Sequence, residues 1–250
     1  MPLHTESRTP PQTRPGDEAP HPEPALPKPP VPVSEEISRR GRPGYDRETL
    51  LTVCVQVFNR HGYGSTSMGM LARELGITKS AIYHHVQSKE EILDYALRRA
   101  LDSLERMIEE VQTHLPEDPP PGDPSPGDSA EVRPARLSAV RQLEEIIRGS
   151  VRVLVEQMPY VTLLLRLRGN SPVELEALAR RRRITRVVEG LVAQGQEDGE
   201  LRQDVSGKSA PRLMLGMVNS IVDWYQPGGS GTVEDLADTA VAMVFSGLRS

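Results

Sequence analysis

"MGMLARELGITKSAIYHHVQSKEEIL", residues 68–93, is the stretch from which the rest of the chain is read. Its apolar residues Met68, Leu71, Ala72 and Leu75 recur at i, i+3, i+4 and i+7, the spacing that lines one face of a helix. Ser65, Thr66 and Ser67 precede them as candidate N-caps, since a short side-chain oxygen can accept a free N–H of the first turn. Gly76 is the expected stop, because glycine enters left-handed backbone geometry at little steric cost. Thr78 is a candidate N-cap for a third helix running to about His85, and Ser88 with Glu91 has the spacing of a capping box that opens a fourth. Ile82 and Val86 can pack inward, which leaves Lys79, Ser80, Tyr83 and His84 outward. Two short helices joined by a glycine-containing turn have the proportions of a helix-turn-helix, whose second helix lies in a DNA major groove.

Upstream, Leu50, Cys54, Val57 and Phe58 line one face of a helix that Gly62 ends. Downstream, Leu93, Leu97, Ala100, Leu101, Leu104, Ile108, Val111 and Leu115 form the long stripe of helix four, which stops at Pro116. The pattern resumes with Leu137, Val140, Ile147, Val151 and Leu154 and breaks at Pro159. Residues 159–168 and 172–198 read as two more helices, with Pro172 in a first turn. Residues 210–225 are apolar on nearly every side, so that helix needs more than one neighbour to cover it, and a last helix spans 233–248. No strand alternation and no internal repeat is present. The fold class is therefore all-α: an N-terminal three-helix domain with the helix-turn-helix, and a C-terminal helical bundle.

Eleven prolines among polar residues within 1–40 make that segment a proline-rich arm expected to be disordered, for want of apolar surface to bury. The organisation that follows is arm 1–40, DNA-binding domain 41–92, and effector and dimerisation domain 93–250. The last carries a proline-rich loop at 116–134, read as an insertion, with a partner-binding segment as the alternative. No stretch has the roughly 20 apolar residues of a membrane span, and no signal peptide is legible, so a cytoplasmic protein is expected. Cys54 is the single cysteine, which excludes an internal disulfide and a thiolate metal cluster and suits a small core residue.

The chain has a formal net charge of −5, yet residues 39–99 are net positive through Arg39, Arg40, Arg42, Arg47, Arg60, Arg73, Lys79, Lys89, Arg98 and Arg99. A basic segment on an acidic body suits phosphate attraction without general stickiness. Enzyme chemistry has no foothold: no Gly-x-Ser-x-Gly, no phosphate-cradling glycine loop and no metal-spaced His and carboxylate set occurs. His84 and His85 point to different helix faces and do not form a metal pair. Catalytic residues, metal and cofactor are all expected to be absent. A helical interaction module acting through the proline-rich segments is the remaining alternative class.

The stretch "FNRHGYGSTSMGMLARELGITKSAIYHHVQSKEEIL", residues 58–93, resembles the N-terminal domain of the TetR family of transcriptional repressors over residues 46 to about 100. The resemblance rests on Phe58 with Gly62-Tyr63, on Thr66, Ala72 and Gly76, on Ile82-Tyr83-His84-His85-Val86, and on Ser88-Lys89-Glu90; Val86 stands where many members carry Phe. It implies that Thr66 and Lys89 contact phosphates, and that the helix with Thr78, Lys79, Ser80, Tyr83 and His84 enters the groove of double-stranded DNA. It implies, too, that His85 adds a backbone or phosphate contact. The same resemblance implies a homodimer, with 210–225 and 233–248 as a four-helix seam in which Gly216 permits close approach. Such a dimer would read an inverted-repeat operator, its two reading helices about 34 to 36 Å apart. Helix four is the expected transmitter of an effector signal.

For the effector, Arg166, Arg168 and Asn170 stand at a helix end and Arg180 to Arg183 on the next helix. Guanidinium forks suit phosphate or carboxylate, and a solvated face paired with Glu174 and Glu176 is the alternative. Trp224 and Tyr225 close the apolar helix, where they line a pocket or plug its base, and Asn219 one turn earlier is a further candidate. Residues 160–250 resemble TetR-family regulators of acyl-CoA catabolism, the phenylacetate-pathway and sterol-ring repressors, which share a Trp-Tyr-x-Pro-x-Gly segment. That resemblance implies release from DNA by an acyl-CoA, phenylacetyl-CoA being the favoured small-molecule effector, with a drug or lipid as the alternative.

Overall fold

The computed structural model describes residues 45–113, 137–229 and 231–249. The expected arm at 1–40 and the proline-rich loop at 116–134 lie outside the described residues. Residues from Tyr45 onward form one compact unit, entirely of helices among the described residues: α1 Arg47–His61, α2 Met68–Glu74, α3 Lys79–Tyr83, α4 Lys89–Thr113, α5 Ala139–Glu156, α6 Met158–Leu165, α7 Pro172–Glu197, α8 Ser209–Asn219, α9 Ile221–Trp224 and α10 Val233–Leu248. The all-α reading stands.

Helix starts follow their caps. Asp46 accepts the Thr49 N–H at 2.7 Å and opens α1; Ser138 and Ser171 do the same for α5 and α7. Thr232 and Asp235 form a reciprocal capping box at α10. At α4, Ser88 accepts the Glu91 N–H at 3.1 Å, but the Glu91 carboxylate reaches one residue further back than a capping box requires, to the Gln87 N–H at 2.7 Å.

Four of the expected helices differ in extent. Helix α3 ends at Tyr83 instead of His85, and Val86, His85 and His84 close it through bonds to Ile82 and Ala81 carbonyls. Helix α6 starts at Met158, because Pro159 fits a first turn, where no N–H is needed, and it stops at Leu165, short of 168. Helix α7 ends at Glu197. Residues 210–225 do not make one rod: Ser220 separates α8 from α9, its hydroxyl donating to the Met217 carbonyl at 2.7 Å.

One apolar core runs through the unit. Leu50, Leu51, Cys54 and Phe58 of α1 are buried, as are Leu71 of α2, Ile82 of α3 and Leu93, Leu97 and Leu101 of α4. The core continues into α5 with Leu143, Ile146, Val151 and Leu154. Burial pushes the Cys54 thiol up to about 12, which keeps it protonated and inert. At Gly149 of α5 an added Cβ would meet the Met107 side chain at 2.5 Å, so the missing side chain is what lets α4 and α5 close.

Replacing Phe58 by Ala removes a wholly buried ring and should cost about 3 to 5 kcal/mol of stability. Urea denaturation would register this as a lower midpoint with little change in slope.

Candidate nucleic-acid interface and ligand cavity

The turn between α2 and α3 closes by two bonds: the Ile77 N–H reaches the Ala72 carbonyl and the Gly76 N–H the Arg73 carbonyl, both at 3.0 Å. Gly76 at φ 62° supplies the left-handed residue that this geometry needs. Thr78 then caps α3 by accepting the Ala81 N–H at 3.1 Å. Ile82, fully buried, and Val86 seat the helix, and the opposite face presents Lys79, Ser80, Tyr83 and His84 to solvent. Tyr83 is 46% exposed, so it is no core residue. Lys79 and Arg73 have no acidic partner among the described residues and keep their charge available on this side.

Three residues implicated by resemblance sit differently. Thr66 is buried, and its hydroxyl donates to the Gly62 carbonyl at 2.8 Å, so its one proton is already committed. The Lys89 ammonium donates to the carbonyls of Tyr63 at 2.8 Å and Thr66 at 2.9 Å and lies 4.3 Å from the centre of the Tyr63 ring. Both side chains thus hold the corner between α1 and α2. His85 is half-buried, and its carbonyl accepts a 3.3 Å bond from Arg47, which pairs with Glu91 at 2.8 Å. The Gln87 N–H, and then Arg47, hold the Glu91 carboxyl below the usual glutamate range. Its stabilising effect is therefore present above the ordinary glutamate pKa and is lost as pH falls through the lowered value. Arg47, which ties α1 to the α3–α4 turn, was not legible in the sequence, because its partners lie about forty residues away.

Helix α1 is joined to α6 by side-chain bonds. The Asn59 amide donates to the Pro159 carbonyl at 2.7 Å, Thr52 and Tyr160 hydroxyls meet at 2.8 Å, and Arg166 donates to the Asn59 carbonyl at 2.8 Å. Arg99 of α4 lies over the Tyr160 ring and bonds Gln157, Tyr95 and Glu48. Arg166, expected among the effector residues, therefore serves this junction. Arg168 and Asn170 are exposed, and with Gly169 their backbone N–H groups converge on the buried Glu174 carboxylate at 2.8 to 3.2 Å. Glu174 is consequently no partner for the arginine run. Trp224 is exposed and Tyr225 half-buried.

Helix α6 also walls a cavity of about 220 Å³ through Val161, Leu164 and Leu165. Leu104 of α4 and Ser150 and Leu154 of α5 close it on one side, Arg181, Ile184 and Thr185 of α7 and the inner face of α8 on the other. Asn219 lines it; Arg166, Arg168, Asn170, Trp224 and Tyr225 do not. Thr185 and Arg212 are shared with a neighbouring groove of about 510 Å³ whose walls carry Arg182, Arg183 and Arg186. These arginines have no ion-pair partner among the described residues, in contrast to Arg180, which binds Asp102 and Glu105 at 2.5 and 2.6 Å. Arg212, whose partners in the groove come from another helix, carried no signal in the sequence.

Comparison with known proteins bears on this arrangement. Residues 50–96 match the model of bacterial regulatory proteins of the tetR family, and residues 136–248 that of the tetracyclin repressor-like C-terminal domain. A crystal structure from Streptomyces coelicolor A3, a member of the TetR transcriptional regulator family, is 40% identical with a TM-score of 0.68, over 83% of this chain and 94% of that one. This chain belongs to the TetR family. It is thus a transcriptional regulator of the helix-turn-helix type, and all-α as the family models imply. The repressor KstR2 of Rhodococcus jostii is 28% identical over 221 residues, 88% of this chain and 98% of KstR2. AibR, solved in complex with isovaleryl coenzyme A and operator DNA, shares the fold at 22% identity and a TM-score of 0.60, covering 80% of this chain and 97% of AibR. No group of side chains among the described residues is arranged to hold a metal ion, and no helix among them is long and apolar enough to cross a membrane.

If Lys89 holds the TetR-type corner together, Lys89→Met should strip two carbonyls of their donor and cost about 1 to 3 kcal/mol. A thermal melt without DNA checks this: a drop of several degrees is expected, whereas an unaltered midpoint would leave Lys89 only an outward role.

Proposed function

We propose that this chain is a homodimeric repressor that binds an inverted-repeat operator in double-stranded DNA through α3 and is released by an acyl-CoA. The observation that carries the DNA part is the seating of α3: Ile82 buried beneath, Lys79, Ser80, Tyr83 and His84 exposed above. A protruding helix with a cation, a hydroxyl, a phenol and an imidazole offers partners for phosphates and base edges alike. Thr78, Thr66 and Lys89 act beneath that surface, holding the helix at its angle, and His85 lends its carbonyl to Arg47. The working division is a DNA-reading part at 41–92 and an effector and dimerisation part at 93–250, with α4 continuous across it.

Two exposed apolar residues support self-association. Leu213 of α8 and Met243 of α10 are 73% and 66% exposed, and an added side chain at Gly247 would meet nothing within 4 Å, whereas Gly216 faces the cavity. A second copy, offering the same two helices, would cover them as a four-helix seam. The two reading helices of such a dimer would lie about 34 to 36 Å apart, one turn of duplex DNA.

The acyl-CoA reading rests on an apolar cavity that shares Thr185 and Arg212 with a groove lined by Arg182, Arg183, Arg186 and a single carboxylate, Glu189, a pairing that suits a ligand with one apolar end and several phosphates. KstR2 is a repressor by name, and the fold accommodates an acyl-CoA in AibR. Release follows as population shift: the ligand must bind the conformation that fits the operator poorly better than the one that fits it well, and DNA weakens the ligand by the same factor. Helix α6 is the direct transmitter, since the same eight residues wall the cavity through Val161, Leu164 and Leu165 and bond Thr52 and Asn59 of α1 through the Tyr160 hydroxyl and the Pro159 carbonyl. Helix α4, lining the cavity at Leu104 and ending at the helix-turn-helix, is a second route.

Tyr83→Ala should weaken binding to the gene's own upstream region at least tenfold in a gel shift, with the dimer intact by sedimentation; unaltered affinity would remove α3 from the groove. Leu213→Asp should yield monomers that no longer shift the same fragment, because one buried unpaired carboxylate per copy would face the seam. Phenylacetyl-CoA or another acyl-CoA at micromolar concentration should release the operator; no release by any acyl-CoA would direct attention to drugs or lipids.

A further inference from the structure

Arg180 and Arg181 are neighbours in one run of arginines with opposite circumstances. Arg180 spends its guanidinium on two carboxylates of α4. Arg181 lines the apolar cavity, and among the described residues its guanidinium makes a single bond, a 3.4 Å contact with the Leu164 carbonyl, at the limit of a hydrogen bond. It has no carboxylate partner among the described residues, and burial lowers its pKa, the direction expected of a cation short of solvation. It does not line the arginine groove: it stands four residues, one helical turn of about 6 Å, before Thr185, which lines both spaces. Phosphates held by Arg182, Arg183 and Arg186, which line the groove and not the cavity, would therefore leave Arg181 uncompensated; Arg212, which lines both spaces, is the second cation of the cavity wall.

A guanidinium cannot shed its proton to escape burial. While the cavity holds water, its free N–H groups are solvated; a plain hydrocarbon or phenyl group filling the cavity would expel that water and leave a bare buried charge. A thioester carbonyl would satisfy a donor without cancelling the charge. The walls of Leu, Ile and Val nevertheless demand an apolar body, and about 220 Å³ accepts one somewhat larger than benzene, which fills an engineered cavity of roughly 150 Å³.

We infer that Arg181 is a binding site for a carboxylate on the buried end of the effector, so that the natural inducer is an acyl group with a second, free acid function rather than a simple hydrocarbon acyl chain. This deepens the acyl-CoA reading and rests on it for the outer half of the ligand. The matched pair that separates the two ideas is adipoyl-CoA and hexanoyl-CoA, equal in chain length and differing in the terminal carboxylate.

Calorimetry and operator release with the full chain should find adipoyl-CoA at least about tenfold tighter than hexanoyl-CoA. In Arg181→Met the preference should level or reverse, and Arg181→Lys should keep part of it; operator binding without ligand reports that each variant is folded. Equal binding, or tighter hexanoyl-CoA, in the unaltered protein overturns the carboxylate site and leaves the acyl-CoA reading standing. Should neither thioester bind, the acyl-CoA reading falls, and octanoate against octanol decides the rest. Octanoate bound by the unaltered protein and not by Arg181→Met upholds the site, and octanoate bound no better than octanol overturns it.

Discussion

The buried stripe of α4 is the contact on which both halves of this molecule depend. Leu93, Ala96, Leu97, Ala100 and Leu101 are sealed beneath α1, α5, α6 and α7, so the helix that begins at the helix-turn-helix also closes the ligand cavity at Leu104. A 25-residue helix is about 37 Å long and stiff, and it cannot tilt at one end without moving at the other. Helix α6 adds a shorter link. Its eight residues wall the cavity through Val161, Leu164 and Leu165 and are tied to Thr52 and Asn59 of α1 through Tyr160 and Pro159, with Arg166, just past the helix, adding a bond to the Asn59 carbonyl. Reading surface and cavity are thus joined by packed side chains without an intervening flexible loop among these elements.

Charge is distributed by the same economy. Arginines that brace helices have carboxylate partners: Arg47 with Glu91, Arg60 with Glu74, Arg152 with Glu234, Arg180 with Asp102 and Glu105. Glu144, buried on α5, is shared by Arg141 and Arg249 and fastens the C-terminal residues. Exposed pairs of this kind contribute little each. Among the described residues, cations without a carboxylate partner stand on the exposed side of α2 and α3, at Arg73 and Lys79, and around the groove and cavity between α7 and α8, at Arg181, Arg182, Arg183, Arg186 and Arg212. An unpaired guanidinium held in place by its neighbours is suited to an anion, and the proposed DNA and effector sites draw on that chemistry.

Sequence reasoning went furthest where the determining forces are local. Leu71, Ala72 and Leu75 at helical spacing, Gly76 at the stop and Thr78 at the next start located the helix-turn-helix, and the fold bears these out. It overran α3 by two residues because the Tyr-His-His triplet has no breaker of its own; the helix ends where Val86 turns into the core. It read residues 210–225 as one rod because apolar content says nothing about a bend at Ser220. Among the proposed effector residues it drew in Arg166, Arg168 and Asn170 by their chemistry, whereas Asn219 alone of the six lines the cavity.

Helix, cap and stop were determined by residues within four positions of one another, and so were written in the amino-acid order: the all-α class, the helix-turn-helix, Cys54 as a small residue of the core. What each polar side chain touches was decided only when helices distant along the chain came together. Thr66 and Lys89 became braces, Arg166 a tie to α1, Glu174 the anchor of a turn, and Arg181 a cation facing an apolar hollow. The reason is physical. Backbone geometry answers to neighbours one turn away, but a guanidinium or an ammonium answers to whichever oxygen the packing of the core brings within about 3 Å.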